Sequence, residues 1–227
     1  MPCSPLKSPK RSAQRPRLAA IVQQAVVAVI LGALPASADQ LWSVHGYGIK
    51  VGEMQVAMTQ ANGTYKGSGK FRTTGLVGAL ARIHFDVTSN GQISGDALKP
   101  KNYKGSIDTG KRQSQTTLDF SRNIPRKTAG EDAPAVPIAP NLLNGAIEPM
   151  SMMWLTLRDT DTPTCDFDQT QFDGTRLTAI RLNRREVDDG DVICHGSYDR
   201  LGGYTQEELD EMSTSPLAIT YRKSGGT

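Results

Sequence analysis

The sequence predicts a mainly β protein: a curved antiparallel sheet or partly closed barrel with one or two short helices packed on it. Most of the chain beyond residue 38 consists of short segments in which apolar and polar residues alternate, separated by turn residues. One segment, 148–158, has apolar residues at helical spacing instead. Residues 39–227 are enough for one domain with a buried core, so we expect a single β-rich domain there.

The first 38 residues have the parts of a secretory signal peptide. Five basic residues precede an apolar run from Ala25 to Leu34, and small residues follow at 36–38. We expect cleavage between Ala38 and Asp39. The apolar run is shorter than the roughly 20 residues that span a bilayer. A leader cleaved after Sec export is therefore favoured over an anchor, and the mature chain is predicted to be soluble, periplasmic and without a membrane span.

The charge balance changes when this leader is removed. The chain has 26 Lys and Arg against 23 Asp and Glu, and five of the basic residues lie in the leader, which leaves a net charge of −2. A nucleic-acid site needs a basic mature domain, so no nucleic-acid partner is predicted. Residues 39–127 carry 13 basic and 6 acidic side chains, and residues 128–227 carry 8 and 17. We interpret these as two complementary halves of one fold.

Two cysteines remain in the predicted mature chain, because Cys3 lies in the leader. An even pair in an oxidising compartment predicts a disulfide between Cys165 and Cys194. The bridge closes a loop of about 30 residues. By restricting the unfolded chain, it would stabilise the folded state by roughly 3.5 kcal/mol. Metal binding by the two thiolates is the alternative, but the chain lacks a CxxC pair and only His195 is adjacent.

The first half of the mature chain is predicted to form consecutive strands. Asn62-Gly63 supplies the two left-handed residues of a hairpin turn. The glycine-containing segment 73–81 fits either a short helix or a bend. Ser89-Asn90-Gly91 is a second predicted turn, followed by a short strand to Asp96, and Pro100 is expected to end that unit because proline cannot donate to a ladder. The predicted strands are 41–50, 53–60, 64–72, 82–88, 103–108 and 113–120.

The second half contains the main helix. Residues 121–147 have four prolines and little periodicity, so we expect a long surface loop. In the helix 148–158, Met150, Met153, Trp154 and Leu157 share one face, which we expect to be buried. Residues 159–173 form an acidic connection. Strands are predicted at 175–187, 191–198 and 216–221, with a short helix after a capping box that Thr205 begins.

Several short segments carry a family resemblance. They are 47–52, 71–75, 89–91 with 98–103, 172–176, and 194–204. These segments resemble proteobacterial exported proteins of the domain-of-unknown-function family 3108 (DUF3108). The resemblance implies a periplasmic antiparallel β domain without an established activity, and a chain that continues past the last strand. A half-barrel wrapped around a helix, as in the lipoprotein carriers of the periplasm, is the specific architecture that we expect.

No catalytic, cofactor or metal site is predicted from motifs. His45, His84 and His195 lie on alternating strands without metal-binding spacing, and the chain has no nucleophile elbow, phosphate loop or dinucleotide fingerprint. The acidic connection leaves two alternatives open. Its carboxylates fit a weak calcium site, or a hydrolase site in combination with His195. Those carboxylates belong to Asp159, Asp161, Asp166 and Asp168.

The function predicted first is non-enzymatic binding of a lipid, another apolar or envelope-derived ligand, or an envelope protein on the curved sheet. Methionine and small apolar side chains motivate it, since methionine-rich surfaces adapt to varied apolar ligands. The same side chains would also serve to fill a core. A structural envelope protein that docks through a sheet edge is a further alternative. The residues concerned are Met54, Met58, Leu76, Val77, Leu80, Met150, Met152 and Met153.

Overall fold

A computed structural model of the protein describes residues 36–110, 113–122 and 124–222. The predicted leader lies outside these residues, apart from its last three positions. The first strand begins at Ala36, so the predicted cleavage between Ala38 and Asp39 falls near its start. Export and cleavage remain predictions.

The described chain forms strands in two antiparallel sheets, which confirms the mainly β class; neither sheet closes into a barrel. The larger sheet has seven strands in sequence order, β1 to β7. The smaller has the order β11-β10-β9-β8. The strands are β1 Ala36–Gly46, β2 Ile49–Ala61, β3 Thr64–Thr73, β4 His84–Ser94, β5 Ala97–Asp108, β6 Gln113–Asp119, β7 Arg126–Ala129, β8 Phe167–Phe172, β9 Leu177–Asp188, β10 Asp191–Gly202 and β11 Thr214–Tyr221.

Short helices connect the strands. Residues 73–81, for which the sequence fits either a short helix or a bend, contain the helix α1, Gly75–Leu80. The main helix, α2, spans Pro149–Leu157, and α3 spans Gln206–Glu211. The capping box predicted at the start of α3 is present, because Thr205 and Glu208 each bond the other's backbone N–H. The predicted Asn62-Gly63 turn is also present, with φ of 50° and 70° at its two residues.

The turn predicted at Ser89-Asn90-Gly91 is wrong. Strand β4 continues through these residues with a bulge between Asn90 and Gly91, and the chain turns at Gly95, where φ is 61°. A Cβ atom at Gly91 would lie 2.2 Å from the carbonyl oxygen of Lys99 on β5, so the close approach of the two backbones requires glycine. The sequence Asn-Gly therefore marks a bulge here instead of a hairpin.

Pro100 does not end a strand. It lies within β5 opposite Gly91, at the bulge, where the regular ladder is already interrupted. Pairing between β5 and β6 starts only at Asn102, so proline's missing N–H costs that ladder nothing. The predicted short strand to Asp96 is consequently the second part of β4.

Two predicted irregular segments contain regular structure. Strand β7 and a 3₁₀ turn at Pro140–Leu143 lie within residues 121–147, where we expected only a loop. Ala146 and Ile147 are buried, and the backbone N–H and C=O of Ile147 bond to β8. Strand β8 itself lies within the predicted acidic connection. These strands are too short to produce a visible alternation.

Helix α2 is buried on more than the predicted face. Met150, Trp154 and Leu157 are buried as expected, but Met153 is only partly buried. Three further residues of the helix are also buried, because the helix contacts both β2–β5 of the larger sheet and β8 of the smaller. They are Ser151, Met152 and Thr156.

The disulfide predicted from the cysteine count joins the connection between α2 and β8 to β10. Cys165 and Cys194 are at bonding distance, with their Cα atoms 5.0 Å apart. Cys194 is the fourth residue of β10, and Cys165 precedes β8 in a left-handed conformation with φ of 57°. Arg185 of β9 donates to the carbonyl of Pro163 at 3.2 Å. The bridge thus clamps the α2–β8 connection onto the four-stranded sheet.

The segment 194–204 ends in an aromatic and cationic corner. The ring of Tyr204 has the guanidinium carbon of Arg176 at 4.4 Å and that of Arg200 at 5.2 Å. Arg176 also forms a forked pair with Glu208 of α3. Burial raises the pKa of Tyr204 far above its usual range, so its hydroxyl is neutral at physiological pH. The family-like segment is therefore a structural junction between β10 and α3.

We predict that Trp154→Ala destabilises the protein by about 3–5 kcal/mol, because it leaves a cavity between the sheets. Trp154 is 6% exposed. Chemical denaturation measures the loss. The matched control is Val187→Ala, which truncates a side chain that is 56% exposed and should change the free energy of unfolding by less than about 0.5 kcal/mol. Equal effects of the two substitutions would contradict the buried position of Trp154.

Candidate functional site

A large cleft separates the two sheets beside α2. Its volume is about 1620 Å³, and residues from β1, α2 and β11 line most of it. Small-molecule sites in proteins are usually about 300–1,000 Å³. The cleft is therefore large enough for a ligand bigger than a typical metabolite. We call it the inter-sheet cleft.

Apolar side chains from both sheets and from α2 line the inter-sheet cleft. Of the methionines that suggested ligand binding, Met54 and Met153 are partly exposed in its wall. Met152 borders the cleft but is only 1% exposed, and Met58 and Met150 are fully buried in the core. The α1 residues that completed the predicted set lie outside the cleft lining. Representative wall residues, one from each of six elements, are Trp42, Met54, Phe85, Met153, Ile180 and Leu217.

Two strand edges face the inter-sheet cleft. In the described residues β1 pairs only with β2, and β11 pairs only with β10, so each is the edge of its sheet. The rings of Trp42 on β1 and Tyr221 on β11 meet edge to face, with centroids 6.1 Å apart. The hydroxyl of Tyr221 donates to the carbonyl of Thr156 in α2 at 2.5 Å. These contacts fix the two edges relative to α2.

Gln40 is a polar residue of the cleft wall that is buried without hydrogen-bond partners for its side chain in the described part of the chain. Its side chain is 8% exposed, and neither its Oε1 nor its Nε2 atom has a hydrogen-bond partner among the described residues. A buried amide without partners costs about 1–3 kcal/mol. Gln40 therefore offers both a donor and an acceptor to a molecule bound in the inter-sheet cleft. Nothing in the sequence distinguishes Gln40 from an ordinary strand glutamine.

A buried polar cluster lies at the N-terminus of α2. Glu148 is 0% exposed, and its carboxylate accepts from the backbone N–H of Met150 at 2.6 Å and of Ser151 at 3.0 Å. The hydroxyl of Ser151 also donates to Glu148 and lies 2.9 Å from the hydroxyl of Tyr65, which is 3.3 Å from that of Ser89. The carboxylate thus satisfies helix N–H groups that water cannot reach.

Burial controls the protonation of this cluster. Desolvation raises the pKa of Glu148, although the hydrogen bonds from Ser151 and the backbone partly offset it. Desolvation, with the nearby carboxylate of Glu148, raises the pKa of Tyr65 to about 12. Tyr65 is therefore neutral at physiological pH. The cluster holds α2 in place and does not open into the inter-sheet cleft, since none of its four members lines the cleft.

The acidic connection does not assemble the predicted alternative site with His195. Asp168 on β8 pairs with Arg181 at 3.3 Å, whereas His195 on β10 contacts Glu186 at 2.9 Å. Asp159 and Asp161 line the inter-sheet cleft, and Asp166 is exposed. The described residues contain no group of three or more His, Cys, Asp or Glu that fits a metal ion. His45 lines the cleft, and His84 is exposed at the start of β4.

A smaller depression lies on the seven-stranded sheet away from α2. Its volume is about 450 Å³, and it includes the ion pair between Lys70 and Asp86, whose charged atoms are 3.9 Å apart. Most of the residues that line it are polar or charged strand residues. The inter-sheet cleft is the stronger candidate because it is larger and more enclosed, and because apolar side chains from two sheets and a helix line it. No helix in the described ranges is long and apolar enough to cross a bilayer.

The family comparison agrees with the resemblance in the sequence. The family model described as "Protein of unknown function (DUF3108)" matches residues 41–189. The chain belongs to the DUF3108 family. The matched part runs from Leu41 within β1 to the end of β9, so the DUF3108 region includes α2 and most residues of the cleft lining, while Gln40, β10 and β11 lie outside it. No curated protein and no solved structure matches the chain.

We predict that Glu148→Gln alters the pH dependence of stability in this DUF3108 protein. The folded pKa of Glu148 is raised above its ordinary value of 4.5, so the folded state binds this proton more tightly than the unfolded chain. The stabilisation from Glu148 is thus complete below pH 4.5 and is lost as pH rises through the folded pKa. Glutamine keeps one capping oxygen but does not titrate.

The measurement is the free energy of unfolding of both proteins as a function of pH. Relative to Glu148→Gln, the wild type should lose stability as pH rises from acid to neutral. Taking the difference removes the contribution of other carboxylates, such as Asp119 and Glu208, whose pKa values hydrogen bonds lower. A difference that is constant across this range would show that Glu148 has the same pKa in both states.

Proposed function

We propose that this DUF3108 protein is a non-enzymatic, exported binding protein that holds an elongated apolar ligand, such as the acyl chain of a lipid, in the inter-sheet cleft. The observation that carries the proposal is the cleft of about 1620 Å³ between two sheets. Its chemistry fits an acyl chain, because apolar walls from both sheets and α2 face the same space.

The wall residues support an adaptable apolar site. The partly exposed side chains of Met54 and Met153 are unbranched and accommodate different apolar shapes. The partly exposed rings of Trp42 and Phe85 offer flat apolar surfaces. Binding an acyl chain against these groups would remove apolar surface from water. Each Å² removed would contribute about 25 cal/mol of favourable free energy.

Gln40 supports a ligand with a polar end. Its amide has no partner in the described structure, and a carboxylate, ester or hydroxyl group of the ligand would satisfy it. Sites for small apolar ligands typically combine apolar walls with a few polar groups that set orientation. We therefore assign the orientation of the ligand's polar end to Gln40.

The proposed location is the periplasm, reached by Sec export. The leader-like residues 1–38 support it, and so does the bonding distance between Cys165 and Cys194, since stable disulfides form in oxidising compartments. An envelope location would also give the protein access to lipids.

Brominated palmitic acid tests the site directly, because bromine quenches tryptophan fluorescence on contact. The chain has two tryptophans, of which Trp42 lines the cleft and Trp154 does not. In the Trp154→Phe variant, the emission of Trp42 should fall on titration. In the matched Trp42→Phe variant, the emission of the buried Trp154 should fall much less. Native mass spectrometry of protein isolated from cells would show whether a lipid is retained.

Equal quenching of the two tryptophans, or none, would contradict binding in the inter-sheet cleft. Trp154→Phe removes no hydrogen bond within the described structure, since the indole nitrogen of Trp154 has no partner there. Circular dichroism establishes that each variant is folded before titration.

We predict that Gln40→Leu stabilises the unliganded protein by about 1 kcal/mol, because it replaces an unpaired buried amide with an apolar group of similar size. The same substitution should weaken binding of cis-parinaric acid about tenfold. It should leave the hydrocarbon probe diphenylhexatriene unaffected, since that probe has no polar end. Denaturation and fluorescence titration measure the two effects. A loss of stability would show that Gln40 has a structural partner.

A further inference from the structure

Exposed apolar side chains concentrate at one end of the seven-stranded sheet. Tyr47 is fully exposed, and Leu80, Leu76 and Ile49 are 90%, 86% and 65% exposed. They are four of the five most exposed large apolar residues in the described chain. Such side chains usually occur singly on a protein surface, and a group of them marks a contact site. We call these four residues the α1 tip.

The fold brings the α1 tip together from two connections. Tyr47 is in the turn between β1 and β2, and α1 connects β3 to β4 at the same end of the sheet. The backbone N–H of Thr74, which precedes α1, donates to the carbonyl of Val51 at 3.1 Å. Leu76 and Leu80 are four residues apart and lie on one face of α1, which buries none of its residues.

Unpaired positive charge accompanies these apolar residues. Arg72, near the end of β3, and Arg82, just after α1, are exposed, and neither forms an ion pair with a described side chain. Residues 39–127 contain 13 basic and 6 acidic residues, and they include the larger sheet except for the first three residues of β1 and the last two of β7. This half carries a net charge of +7, and Arg72 and Arg82 place two of its unpaired positive charges at the end of the sheet that carries the α1 tip.

Among the described residues, no side chain of the acidic second half forms an ion pair with one of the basic first half. The ion pairs between described side chains join partners from the same half, such as Lys70 with Asp86 and Arg176 with Glu208. The interpretation of the halves as complementary thus finds no support in ion pairs. The positive charge remains available to an external anionic surface.

We propose that the α1 tip docks on the surface of an anionic lipid bilayer. Tyr47, Leu76 and Leu80 insert among the headgroups, while Arg72 and Arg82 contact lipid phosphates. Leucine and tyrosine are suited to the boundary between headgroups and acyl chains, and arginine is attracted to anionic lipids. Nucleic acid would be attracted by the arginines alone and would gain little from two exposed leucines.

This docking does not depend on ligand binding in the inter-sheet cleft. It does, however, determine which end of the cleft lies near the bilayer. The cleft lining extends along β1 to His45, two residues before Tyr47. Docking through the α1 tip therefore brings that end of the inter-sheet cleft close to the bilayer. A lipid chain would have a short path between the two.

Sedimentation with lipid vesicles tests the proposal. We expect the protein to bind vesicles of phosphatidylcholine with roughly one third phosphatidylglycerol, and to bind pure phosphatidylcholine weakly. Leu76→Ser with Leu80→Ser should lower the partition coefficient on anionic vesicles about tenfold, and Arg72→Gln with Arg82→Gln should lower it to a similar extent. Binding of the wild type should also weaken as salt is added.

The matched control is Leu142→Ser with Val187→Ser, which removes two apolar side chains of 50% and 56% exposure away from the α1 tip. This control should bind as the wild type does. All variants keep the same N-terminal residues, so any contribution from those residues cancels in the comparison. Absence of wild-type binding, or equal losses in the tip variant and the control, would overturn the proposal. Binding to an oligonucleotide that matches binding to vesicles would also overturn it.

Tyr47→Trp provides a positive signal that does not rely on loss of binding. Insertion of the new indole among headgroups should shift its emission to shorter wavelength when anionic vesicles are added. The difference spectrum against wild type removes the emission of Trp42 and Trp154. Vesicle binding without such a shift would place the contact elsewhere on the protein. The acyl-chain titration of the inter-sheet cleft stays interpretable whichever result is obtained, because it uses no vesicles.

Discussion

The architecture depends on the burial of α2 between two sheets. A helix placed there brings polar N–H groups into a region without water, and they must find partners within the protein. Glu148 meets this requirement with a carboxylate that is itself fully buried, supported by Ser151 and, through Ser151, by Tyr65. The smaller sheet packs on the same helix, and the disulfide anchors it to the connection that follows the helix. The inter-sheet cleft is the space that this arrangement leaves open on the side of β1 and β11.

The elements that the sequence predicted well are those with a local physical signal. Alternation indicated most strands, Asn62-Gly63 indicated a hairpin, and Thr205 indicated the start of α3. Errors occurred where tertiary packing overrides a local preference. Gly91 and Pro100 look like a turn and a strand end, yet they pair across a bulge that only the neighbouring strands define. Strand β7 has four residues and is held by β6, so its own sequence carries no detectable period.

The candidate site was less predictable than the fold. The methionine count pointed to an apolar site, but only the three-dimensional structure separates Met54 and Met153, which are partly exposed in the cleft, from the buried Met58, Met150 and Met152. The division of the strands into two sheets, which creates the cleft, depends on long-range pairing that alternation does not encode. Gln40 is recognisable only because its amide lacks a partner after folding. Leu76, Val77 and Leu80 of α1, which the sequence suggested as part of the apolar site, lie outside the cleft lining.

The distribution of charge between the sheets has a consequence for the molecule as a whole. The basic half forms almost all of the larger sheet, and the acidic half contains the smaller one, so the centres of positive and negative charge are displaced from each other. The protein therefore has an electric dipole between its two sheets, although its predicted mature net charge is only −2. Near any charged surface such a molecule experiences a torque before contact, and it approaches in a preferred orientation.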